Sequence, residues 1–192
     1  MYPGLFGYFR RLQIDVHDPE VPLVVIIFHT EEEFEEYRAM SESVAAYYDS
    51  ISNHVVIYEQ SKLATIAPEL AAKASISTIA HEGVHQILHN IGVQHRLSRW
   101  PTWISEGLAE YFAPTSVGRR FRWKGVGKVN DLRMSELGTY LKRPRLQPGE
   151  MVRQTIAANS LSPTGYASAW ALTHFLAQRF MVPWCLRSPY QV

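Results

Sequence analysis

The pentapeptide His81-Glu82-Gly83-Val84-His85 limits what this chain can fold into more than any other stretch. Side chains four apart on a helix share a face about one turn from each other, so the two imidazoles close on one metal ion only if this stretch is helical. Neutral imidazole is a good zinc ligand. Glu82 projects about a quarter turn to the side, where it reaches a water on the metal rather than the metal itself. A chain of this composition, with 8 histidines in 192 residues, would contain about 0.02 such pentapeptides by chance. A third ligand candidate, Glu106, follows in Trp103-Ile-Ser-Glu-Gly-Leu-Ala-Glu-Tyr-Phe112.

The surrounding pattern supports helices at both places. Residues from about Pro68 to Asn90 read as helical, with Gly92 suited to the C-terminal cap. After the turn at Trp100-Pro101, Thr102 is expected to cap a second helix from Trp103 to Ala113, stopped by Pro114. Glu106 and Glu110 share a face of it. Upstream, Pro22 to Phe28 is a β-branched run of strand length, and Thr30 with Glu33 forms a capping box for a helix over about 31–40. Ala45 to Asp49 and His54 to Glu59 read as a hairpin extending the same sheet. The strand His54 to Glu59 is expected to present a free edge to an extended peptide.

Downstream, glycines and prolines punctuate Thr115 to Gly149, which predicts loops, a short basic hairpin and a short helix near Ser135 to Leu141. Met151 to Ala158 looks helical. Tyr166 to Phe180 reads as an amphipathic helix burying Ala169, Trp170, Thr173, Phe175, Leu176 and Phe180. Phe9 and the other N-terminal aromatics are expected to pack locally.

Composition narrows the chemistry. The single cysteine, Cys185, excludes an intrachain disulfide and a multi-cysteine zinc site, so an ion must be held by histidine and carboxylate. A formal charge of +1 points to neither nucleic acid nor an anionic membrane. The run Arg119 to Lys124 interleaves basic and aromatic residues, which single-stranded nucleic acid can use, but a solvated loop or a cleft wall is preferred. The longest apolar stretch, Val21 to Phe28, is far short of a bilayer span. The N-terminus has no signal-peptide order, so the expectation is a cytoplasmic chain or a fragment lacking its leader.

Zinc held by two histidines and one glutamate keeps a fourth position for water, the arrangement of catalytic sites. Glu82 is placed as general base. Glu110 could accept a bond from a ligand imidazole, and it is the alternative to Glu106 as ligand. An oxyanion donor is expected from Tyr166 first and His174 second. His89 is expected to face solvent or to cap the helix end as a cation.

These residues resemble those of the gluzincin metallopeptidases, in which a glutamate about twenty residues past the second histidine completes the site within a Ser-Glu-Gly or similar segment. Ser105-Glu106-Gly107 fits that segment. The resemblance implies His81, His85 and Glu106 as zinc ligands, Glu82 as base and Glu110 as the carboxylate behind a ligand. The metzincin pattern would need glycine at 88 and histidine at 91, where the chain has Leu88 and Ile91. A narrower resemblance is to the peptidase-like bacterial domain of unknown function 1570. It rests on the Tyr47 to Tyr58 hairpin, the Trp103 to Phe112 segment and the late Tyr166 to Leu176 helix, and covers roughly residues 20 to 180. The tail Pro183 to Val192 departs from that pattern.

The expectation is therefore one α+β, zincin-like domain over residues 1–192. A small twisted sheet and the motif helix occupy about 1–92, a mainly helical lobe occupies about 93–192, and one zinc ion lies in the cleft between them. The expected activity is peptide-bond hydrolysis on a peptide or protein substrate. The rival is a non-catalytic zinc-binding or interaction module on the same fold.

Overall fold

The computed structural model describes residues 1–40, 44–59, 61–117, 120–142, 147 and 149–181. Along the chain come α1 (Tyr2–Arg11), β1 (Val24–Phe28), α2 (Glu31–Tyr37), β2 (Ala46–Asp49), β3 (His54–Tyr58), α3 (Ser61–Ile66), α4 (Pro68–Asn90) and α5 (Thr102–Phe112). Then follow β4 (Thr115–Val117), β5 (Phe121–Trp123), α6 (Asp131–Leu141), α7 (Glu150–Ala157), α8 (Pro163–Leu176) and a π-helical turn, Ala177–Met181. The fold is mixed α+β, with mostly helix and small sheets. The tail 183–192, with Cys185, and Arg119 of the basic run lie outside the described residues. No helix among the described residues is long and apolar enough to cross a membrane.

The backbone groups into two units. One comprises His17–Arg96 and Thr115–Trp123 and contains both sheets. Its main sheet has the order β1-β3-β2. β1 runs parallel to β3, from Val24 opposite His54 to Phe28 opposite Tyr58, and β2 runs antiparallel, from Ala46 opposite Ile57 to Asp49 opposite His54. The expected free edge on His54–Glu59 is thus corrected: β3 is the central strand, bonded on both flanks. The parallel partner comes from β1, since the connection through α2 is long enough to bring β1 alongside β3 on the flank that the hairpin leaves open. Val55, Val56 and Ile57 are all buried in succession, which requires cover on both faces and explains the poor alternation of this strand.

The capping box of α2 forms as expected. Thr30 Oγ1 accepts from Glu33 N at 3.2 Å, and Glu33 Oε2 accepts from Thr30 N at 3.3 Å. Phe34 of α2 is buried beside the rings of Tyr47 and Tyr58, 5.6 and 5.2 Å away. α4 begins at Pro68, whose missing N–H costs nothing in a first turn, and ends before Gly92, whose φ of 83° suits glycine. Ala80, Val84, Ile87 and Leu88 of α4 are buried, followed by Ile91. The short basic hairpin is present as β4 and β5, paired antiparallel, with Phe121 and Arg122 exposed.

The other unit comprises Met1–Val16, Leu97–Pro114 and Lys124–Val192. Its helices α5 and α8 pack closely at Gly107, where a β-carbon would collide with Thr173 Oγ1 and come 2.8 Å from Ala169 O. Sequence reasoning missed α1, and its aromatics do not pack only locally. Phe9 and Tyr8 meet Phe112 with ring centroids 5.4 and 5.5 Å apart, because Leu5 and Phe9, four apart, turn one apolar face inward. Thr102 lies inside α5 and not at its cap, and its hydroxyl donates to Asn159 O at 3.2 Å. α6 starts earlier than expected because the Asn130 side chain caps it through Arg133 N. α8 likewise starts at Pro163 behind Ser162, whose hydroxyl accepts from Gly165 N. Ala169, Trp170 and Thr173 are buried as expected, but Phe175 is 61% exposed. Residues apolar nearly all round α8 leave its periodicity unable to choose a face. The side chain of Phe180 is outside the described residues.

Candidate metal centre

α4 presents His81 and His85 on one face. Their Nε2 atoms lie 3.3 Å apart with the rings at 77° to each other. Two ligand atoms bound at about 2.0–2.1 Å to a tetrahedral zinc stand about 3.3–3.4 Å apart, so the pair already has the separation that such an ion needs. His85 is 8% exposed and His81 and Glu82 are half-buried. Glu106 is half-buried on α5, one residue before the close-packed Gly107. One ligand atom from each of His81, His85 and Glu106 lies within 4.8 Å of the other two, and the three could hold a metal ion. Two imidazole nitrogens and a carboxylate oxygen suit zinc without any thiolate.

A buried polar network, which sequence reasoning missed, anchors the C-terminal half of α4. Gln86 Nε2 donates to Val24 O at 3.0 Å and to Asn53 O at 2.7 Å. Asn90 Nδ2 donates to Asn53 Oδ1 at 2.7 Å and to Gln86 O at 2.6 Å, and Asn53 Nδ2 returns a bond to Asn90 Oδ1 at 3.1 Å. Tyr48 and Arg96 complete the set, donating to Asn53 Oδ1 and Asn90 Oδ1. Asn53 closes the β2–β3 turn with a φ of 62°, a left-handed conformation that asparagine tolerates. The only sequence signal was a pair of amides four apart, Gln86 and Asn90, directly after the second histidine.

α5 is anchored through Glu110, which is buried. Its Oε2 accepts from Asn130 Nδ2 at 2.8 Å, and its Oε1 is 2.7 Å from an Arg133 guanidinium nitrogen. Arg133 also binds Glu136 at 2.8 Å. Burial alone would lower the pKa of this guanidinium, but its bonds to Glu110 and Glu136 outweigh that and hold it above its ordinary value.

Tyr166 lies on α8, half-buried, with the Arg133 guanidinium 5.0 Å from its ring centroid. His174 packs between Tyr111 and Trp170, and burial lowers its pKa. His89 does not act as the expected cation at the helix end. It is half-buried against Tyr48, and burial, followed by the positive groups His85, Arg96 and His95, pushes its pKa down to about 4.

The family model described as "Protein of unknown function (DUF1570)" matches residues 75–182, a span that holds both motif histidines, Glu106 and α8. No curated protein matches the chain.

Proposed function

Since the chain belongs to the DUF1570 family, whose function is not established, we propose from the site itself that it is a zinc-dependent peptidase of the gluzincin type on a zincin-like fold. The observation that carries this reading is the convergence of His81 Nε2 and His85 Nε2, 3.3 Å apart, with a carboxylate oxygen of Glu106 in the same group. A small sheet followed by the motif helix, with the third ligand on the next long helix, supports the zincin-like assignment.

His81, His85 and Glu106 would hold one zinc ion. Once bound, the ion supplies Lewis acidity, lowering the pKa of water toward about 7 and polarising a carbonyl. Glu82 takes the proton of the attacking water on a carboxylate oxygen and passes it to the amine nitrogen as the carbon–nitrogen bond breaks. Tyr166 donates from its hydroxyl to the developing oxyanion. Arg133, lying over the ring of Tyr166 and bonded to Glu110, holds that tyrosine and the buried carboxylate in fixed relation.

The test is zinc stoichiometry of the purified chain together with digestion of a diverse peptide mixture. One zinc per chain and cleavage that a chelator abolishes are expected. Stoichiometric zinc without cleavage would favour the non-catalytic zinc-binding module, and absence of zinc from protein refolded in its presence would overturn the metal site.

A further inference from the structure

Gln86 is 2% exposed, and its carboxamide gives both hydrogens to main-chain carbonyls at the ends of two strands, Val24 O in β1 and Asn53 O at the entrance to β3. One turn later Asn90 exchanges two hydrogen bonds with the Asn53 side chain. Residues 86 and 90 lie on the same side of α4, so these two anchors fix the rotation of the helix about its axis and its slide along the sheet. Apolar burial by Val84, Ile87 and Leu88 is non-directional and tolerates some roll. Buried hydrogen bonds do not, since they weaken steeply with angle and leave costly orphans when broken. His85 immediately precedes Gln86, and His81 stands one turn before His85.

We propose that Gln86 is a positioning residue for the histidine pair, holding the roll of α4 at which both ring nitrogens group with a carboxylate oxygen of Glu106. The inference rests on the reading of His81 and His85 as metal ligands. It assigns to an amide outside the motif the task of aiming the site. Replacement by glutamate would put oxygen in place of the donating nitrogen and repel both carbonyls. Replacement by methionine keeps the length and removes only the donors.

Cobalt(II) titration of the full chain, followed through its visible absorption, tests this with Gln86→Met and Gln86→Asn. Wild type should bind one cobalt, and failure to do so would bring down the metal reading and this inference together. Gln86→Met should keep its circular dichroism but bind cobalt about 10- to 100-fold more weakly, with shifted visible bands. Gln86→Asn, one methylene shorter and able to reach a single carbonyl, should fall between. A lowered unfolding midpoint in Gln86→Met with wild-type cobalt affinity and band positions would overturn the proposal and leave the metal reading intact. If Gln86→Met does not fold, the same two readouts on Gln86→Asn decide.

Discussion

Gly107 lies so close to Thr173 that no β-carbon fits between them. Removing the threonine hydroxyl would not make room, because Ala169 O stands 2.8 Å from the same point and is backbone. The Ser-Glu-Gly segment therefore has a packing reason for its glycine: the residue after Glu106 packs directly against the backbone and Thr173 of α8. Gly107→Ala should destabilise the protein by about 1–3 kcal/mol, even though alanine favours a helix. Urea unfolding measures it, and Thr173→Ala in the same chain should not restore the loss. An unchanged midpoint would show that the helices can part at no cost.

Glu82→Gln separates binding from chemistry. The amide cannot accept and pass on a proton, so peptide cleavage should drop about 10²- to 10⁴-fold while zinc content stays near one per chain. His81→Ala should instead lose the zinc along with the activity. Metal analysis and peptide digestion on the two variants distinguish the roles, and full cleavage by Glu82→Gln would end its assignment as base.

Glu110 is buried and Arg133 half-buried, so cutting the pair on the arginine side only should be costly. Arg133→Met leaves the Glu110 carboxylate without its cation and should lower stability by about 3–5 kcal/mol. Adding Glu110→Gln to Arg133→Met should recover much of that loss. Equal stability of Arg133→Met and the double variant in denaturant melts would mean that the carboxylate left without its cation costs nothing.

Acid sensitivity follows from His89. Its folded pKa of about 4 lies below the unfolded value of 6.5, so the unfolded chain takes up the proton first as pH falls. The stability contribution is complete above about pH 6.5 and is lost progressively toward pH 4. His174, also depressed by burial, acts in the same direction. Urea midpoints of chelator-treated protein between pH 7.5 and 4.5 should fall with pH, and His89→Leu should flatten that slope. An identical slope in the variant would assign the titration elsewhere.

α4, α5 and the capped start of α2 were legible in the sequence because spacing, capping residues and prolines act locally. The three metal-ligand candidates were legible for the same reason, being defined by a helical repeat and a short segment. The central place of β3 was not, because strand order depends on a crossover that leaves no local mark. Gln86 and Arg133 were missed for a related reason. A buried polar side chain makes sense only once its partners arrive, and those of Gln86 come from Val24 and Asn53, far away in the chain. Phe175 was misplaced because part of the buried side of α8 is made by Ala167 and Ala169, and small residues barely register in a hydrophobic pattern.

The latch at Gln86 also imposes a sequence of events on folding. Its two acceptors are Val24 O in β1 and Asn53 O just before β3, and the residues paired there, Val24 and His54, are thirty positions apart, whereas the β2–β3 hairpin closes over a single short turn. Joining distant segments costs more entropy and comes later than local closure. The helix cannot lock until the parallel pair exists, so an ion captured by His81 and His85 would arrive as a late seal on a finished sheet and would not serve as the nucleus around which the chain collapses.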